Sequence, residues 1–110
     1  MKYSLATLPF VAAVLIGTPA LATDEPIHLV IKDHHFQPER LEVPAGVKFK
    51  LLVKNSDNTP EEFESTELRR EKLVPPGDEV TVFLGPLDPG EYKVFGDFHQ
   101  DITKGVIVAK

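Results

Sequence analysis

The amino-acid sequence predicts an all-β domain, an antiparallel sandwich or barrel of short strands. Three observations lead there. Apolar and polar residues alternate with a period of two in several stretches, as in Val47-Lys48-Phe49-Lys50-Leu51. Turn formers separate these stretches at short intervals, among them Pro44-Ala45-Gly46, Pro75-Pro76-Gly77-Asp78 and Asp88-Pro89-Gly90. No segment after Ala22 has the periodicity of an amphipathic helix of useful length. Strands of this kind bury one face and need a second sheet to cover it, and 110 residues suffice for one small domain of that sort.

In chain order, Met1–Ala22 reads as a secretory signal peptide. Lys2 supplies the early charge and Leu8 to Ile16 the apolar run, which is too short to span a bilayer comfortably; Ala20-Leu21-Ala22 then places small residues where a signal peptidase reads. The expected mature chain starts at Thr23 and forms one domain to Lys110. Ile27–Lys32 is the first strand, and Asp33-His34-His35 breaks it. Leu41-Glu42-Val43, residues 47–54, Glu79–Leu84, Glu91–Phe95 and Gly105–Val108 are further strands. Residues 55–60 form a loop. Glu61–Lys72 is expected to be a strand end followed by a loop, with at most one helical turn, because its helix formers are too weakly amphipathic for a helix.

The formal net charge is −5, and loss of Lys2 makes it one unit more negative. That sign disfavours nucleic acid or an anionic membrane as partner, since both call for a cationic face. The chain has no Cys, and its one Met is Met1. Disulfides, thiolate metal sites and thiol catalysis are therefore excluded, and the expected mature protein has no sulfur ligand. No nucleophile elbow or phosphate-binding Gly loop is present, so a hydrolase is disfavoured.

Three segments in order resemble a cupredoxin domain, the Greek-key sandwich of the blue copper proteins. They are Phe36–Gly46, similar to F-x-P-x-x-L-x-V-x-A-G; Phe49 to Asn55 with Asp57 and Pro60; and Leu87-Asp88-Pro89-Gly90-Glu91-Tyr92 followed by Phe95–His99 and Gly105–Val108. A blue copper centre needs two imidazoles, a thiolate and a weak axial ligand. At the matching positions this chain has Glu61 for the first His, Gly96 for the Cys, His99 for the second His, and Thr103 nearest the axial Met. One ligand of four survives, which excludes a blue copper electron carrier. The run Glu62-Phe63-Glu64, Glu71 and Val74-Pro75-Pro76-Gly77 is similar to the Cys-poor cupredoxin-like proteins of bacterial periplasmic iron uptake, including the N-terminal domain of EfeO. That resemblance implies a periplasmic protein that binds copper or iron through carboxylate and imidazole. It implies a permease component or another periplasmic iron-binding protein as partner, ferroxidase-type assistance, and no membrane insertion of the mature chain.

The candidate ligands are Glu61, Glu62, Glu64, Asp97 and His99, with His34 and His35 as weaker candidates. On an extended strand Glu61 shares the inward face of Phe63, while Glu62 and Glu64 form an outward pair. Asp97 and His99, two residues apart on a strand end, are expected to point the same way, with Asp101 near them. Arg69, Arg70 or Lys72 are the cations available to the outward pair. Glu67 and Glu71 read as surface residues, His28 as an exposed strand residue. The Phe36 ring is expected to fill space that a side chain at Gly96 would take. An oxygen and nitrogen donor set suits Cu(II), Fe(II), Fe(III), Mn(II) or Zn(II). The competing expectation is a sandwich without metal that docks on a periplasmic or membrane partner.

Overall fold

The computed structural model describes residues 24–110; the signal peptide expected at residues 1–22 lies outside them. The described residues run through nine strands: β1 Ile27–Lys32, β2 His35–Gln37, β3 Arg40–Val43, β4 Phe49–Asn55, β5 Glu61–Ser65, β6 Arg70–Val74, β7 Glu79–Leu84, β8 Gly90–Gly96 and β9 Lys104–Ala109. A single 3-10 turn, Asp97–His99, separates the last two. The strands form two sheets in the orders β2-β1-β4-β7 and β3-β9-β8-β5-β6. The all-β sandwich is as predicted, but it is not purely antiparallel: β1 pairs with β4, and β3 with β9, in parallel. The chain leaves the first sheet after β2, lays β3 in the second, and returns as β4, so β4 meets β1 running the same way.

The period-two pattern decides what is buried. Leu29 and Ile31, Leu41 and Val43, Phe49, Leu51 and Val53, Val82 and Leu84, and Ile107 and Ala109 face the interior on alternate positions of their strands. Each large side chain so buried contributes about 1.5–3 kcal/mol. Phe36 and Phe63 meet edge to face at the middle, with ring centroids 6.2 Å apart.

Residues 61–72 differ from the expected strand end and loop. They form most of a hairpin, in which β5 and β6 pair from Glu61↔Val74 to Ser65↔Arg70. The helix formers Glu67, Leu68, Arg69 and Arg70 lose to the burial of Glu61, Phe63 and Ser65, which only a strand puts on one face. Ser65 fixes the turn: its hydroxyl accepts the Leu68 N–H and donates to the Lys93 carbonyl. Arg69 takes a left-handed φ of 57° to close it.

The expected pairing of Phe36 with Gly96 is also corrected. The glycine beneath Phe36 is Gly105, where a Cβ would lie 3.3 Å from the ring and 2.6 Å from the Glu39 carbonyl oxygen. Gly96 serves another neighbour, described below. Gly105→Ala is accordingly expected to destabilise the fold by about 1–3 kcal/mol through overpacking. Urea unfolding measures this, and an unchanged midpoint would contradict the packing described here.

Candidate metal centre

One end of the sandwich gathers the β1–β2 turn, the start of β5 and the segment between β8 and β9. Lys32 and His35 are the last register pair of the β1–β2 hairpin, which leaves Asp33 and His34 as a two-residue loop. Both have positive φ, 51° and 62°, as the right-handed twist of a hairpin favours. Neither is glycine, so each is strained by about 1–2 kcal/mol. The loop is held by three hydrogen bonds. The Asp57 carboxylate accepts the Asp33 N–H at 2.7 Å and the His34 N–H at 2.9 Å, and the Thr103 hydroxyl donates to the His34 carbonyl at 2.5 Å.

Glu61 opens β5 with its side chain turned inward, as the alternation with Phe63 requires, and only 2% of it is exposed. A buried carboxylate must find donors. Oε1 accepts the N–H groups of Glu62 at 3.0 Å and Phe98 at 2.9 Å; Oε2 lies 2.6 Å from His99 Nδ1. The hydrogen of that short Oε2···Nδ1 bond, on whichever atom it resides, must leave before an ion can bridge the two atoms. Gly96 makes the room: a Cβ there would fall 2.6 Å from Glu61 Cδ and 2.7 Å from Thr103 Cγ2. Its φ of −99° is open to any residue, so space rather than backbone geometry demands glycine.

The His34 ring stacks on His99 with centroids 3.9 Å apart and planes 27° from parallel. One donor atom from each of His34, Glu61 and His99 lies within 4.8 Å of the others, which makes the three a candidate ion site. Thr103, nearest the axial position of the resemblance, is fully buried, and its hydroxyl is engaged by the His34 carbonyl.

Glu62 and Glu64 point outward as expected and gather with Asp97 in a second cluster within 4.8 Å. Asp97 and His99 therefore do not point the same way. The 3-10 turn advances about a third of a revolution per residue, which sends Asp97 to the outer group and His99 to the inner one. Glu71 registers directly opposite Glu64, so a residue read as plain surface adds its charge here. Partial burial, then Glu71 and Asp97, raise the carboxyl of Glu64 above its ordinary range; the same causes, with Glu64 added, raise Glu62. The expected cations are elsewhere: the Arg70 guanidinium donates to the carbonyls of Phe83, Leu68 and Arg69, and no ion pair among the described residues reaches Glu62, Glu64 or Asp97. His35 is exposed, 3.6 Å from Glu39 and apart from both clusters. Asp101 and His28 are exposed and join neither. His34 carries more weight than its sequence context suggested. The available sign was the two-residue gap between strand-forming Lys32 and His35, which marks a hairpin turn aimed off the sheet end.

The cupredoxin-like domain model matches residues 5–109, and the chain belongs to that family. An uncharacterized protein of Rickettsia prowazekii is 49% identical over 82 residues, which is 74% of this chain and 66% of the relative. Among solved structures, auracyanin A, a blue copper protein from Chloroflexus aurantiacus, aligns with a TM-score of 0.67 at 15% identity, over 78% of this chain and 98% of that one. A purple cupredoxin from Nitrosopumilus maritimus gives 0.60 at 18%, over 76% and 99%. The metal-binding domain of the Cu(I)-exporting ATPase CopA of Streptococcus pneumoniae gives 0.63 at 14%, over 81% and 92%. These likenesses show the fold. A type 1 copper site does not fit this chain, which has no thiolate and fills the space at Gly96 with the Glu61 carboxylate.

The outer cluster makes a pH prediction. Folded-state carboxyls raised above the ordinary value favour the protonated form, so their ionised form opposes folding. The penalty is absent at acid pH and grows as pH rises through the raised folded values. Glu64→Gln is expected to raise the melting temperature of chelator-treated protein near pH ~7 and to leave it unchanged near pH ~3, below the usual carboxylate range. Equal effects at both pH values would contradict this.

Proposed function

We propose that this protein binds a divalent metal, copper or iron, through His34, Glu61 and His99, and serves as a periplasmic accessory of iron uptake. The gathering of two imidazoles and one buried carboxylate, with donor atoms within 4.8 Å of one another, carries the reading. Glu62, Glu64 and Asp97 form an outer carboxylate group beside it, suited to a hydrated cation because no ion pair among the described residues neutralises it. The inner donors are nitrogen and oxygen, which suit Cu(II) or Fe(II) and are poorly matched to Cu(I). The bound ion supplies either electron acceptance from Fe(II) or iron for delivery to a permease. The iron assignment rests on the likeness of Glu62-Phe63-Glu64, Glu71 and Val74-Pro75-Pro76-Gly77 to the iron-uptake cupredoxins, the EfeO domain among them, and the periplasmic assignment on the leader expected at residues 1–22.

A metal-free docking module is the second reading. Phe98 and Ile102, 48% and 43% exposed, flank His99 in the chain and offer apolar surface at the same end.

Cu(II) titration with electron paramagnetic resonance separates the two. The metal reading expects one saturating nitrogen/oxygen signal. His99→Ala should weaken it by more than the roughly 10–100-fold that an outer-shell change costs. A signal that never saturates, or one indifferent to His99→Ala, would leave the docking reading.

A further inference from the structure

His34 reaches the centre only because a turn of two strained residues is held in place, and what holds it lies outside the donor set. Asp57, in the β4–β5 loop, spends both carboxylate oxygens on that turn: Oδ1 takes the Asp33 N–H and Oδ2 the His34 N–H. Oδ2 also lies 3.6 Å from His34 Nδ1, which leaves Nε2 as the nitrogen turned away from the carboxylate. The loop carrying Asp57 is itself tied down. Its N–H donates to Oδ1 of Asn55, its carbonyl accepts from Gly77, and the Ser56 N–H binds the Ile31 carbonyl. Asn55 is fully buried and donates to the carbonyls of Thr59 and Val74. A continuous path of hydrogen bonds therefore runs from the core through Asn55 and Asp57 to the His34 turn, and the His34 ring ends stacked on His99.

We propose that Asp57 is the positioning residue of the metal centre: by holding Asp33 and His34 in left-handed geometry, it presents His34 as the third donor beside Glu61 and His99. This rests on the metal-binding reading above. Asp57 does not touch the ion. It acts through His34: without it the Asp33 and His34 amides lose their side-chain acceptor, and only the hairpin register and the Thr103 hydroxyl still hold the turn, so the His34 ring is less firmly placed.

The test compares Cu(II) affinities of the wild type, His34→Ala, Asp57→Ala, Asp57→Asn and the His34→Ala/Asp57→Ala double variant. Asp57→Ala is expected to weaken binding about tenfold or more, to within a few-fold of His34→Ala. The double variant should bind no more weakly than His34→Ala alone, because both changes remove the same donor. In metal-free protein, amide exchange at residues 33 and 34 should quicken in Asp57→Ala while the β4 and β7 amides keep their protection. Asp57→Asn keeps the size and one acceptor; it is expected to fall between wild type and Asp57→Ala, and it carries the comparison if Asp57→Ala fails to fold. Wild-type affinity in the Asp57 variants alongside a loss in His34→Ala would overturn the proposal, as would losses that multiply in the double variant. Wild-type affinity in His34→Ala would also overturn it, and would locate the failure in the ligand assignment of His34 rather than in the role of Asp57.

Discussion

The end of this sandwich is organised around one buried carboxylate. Glu61 sits almost wholly out of water, where an unpaired carboxylate would cost several kcal/mol, and the surrounding elements are placed to compensate it. Two backbone N–H groups converge on one oxygen and the His99 imidazole on the other. One of those N–H groups belongs to Phe98, so the 3-10 turn between β8 and β9 is latched to the start of β5. Any side chain at position 96 would collide with the carboxylate. Gly96, Glu61 and His99 are thus one packing unit. Within the cupredoxin-like fold, an inward carboxylate from β5 here takes the room that a side chain from the end of β8 would otherwise occupy.

The same strand carries both candidate clusters because side chains alternate along it. Glu61 faces the core end, while Glu62 and Glu64 face out. Asp97 and His99 repeat that division on the 3-10 turn, and the backbone N–H of Glu62 is itself bound to Glu61 Oε1. The outer cluster is self-repelling in the absence of a cation, with Glu64 facing Glu71 across the hairpin. Such an arrangement stores a preference for positive charge. Copper would bind tightest in a titration whatever the physiological ion, so affinity rank alone does not name the metal.

Much of this was legible in the chain because two-residue periodicity states directly which side chains share a face. It identified the inward Glu61, the outward Glu62 and Glu64, and the sandwich itself. What failed was local geometry that departs from that period. Asp97 and His99 separate because three residues wind into a 3-10 turn, which the short run Gly96-Asp97-Phe98-His99 does not announce. His34 was undervalued because its reach depends on Asp57 and Thr103, 23 and 69 residues away in sequence. The expected partner of Phe36 was Gly96, yet Gly105 is the glycine under that ring, and only the packing tells which glycine lies there and which beside Glu61. The strand start at Glu61 was legible, but β6 was not, because only Val74 of its five residues is buried, which leaves no two-residue apolar pattern to mark it.

Anomalous diffraction at the metal edge, from crystals of the Cu(II)-loaded protein, tests the central claim most directly. The account predicts a peak bonded to Glu61 and to the imidazoles of His34 and His99, with any second peak among Glu62, Glu64 and Asp97 weaker. A full-occupancy peak confined to the outer carboxylates, with Glu61 still hydrogen-bonded to His99, would contradict it.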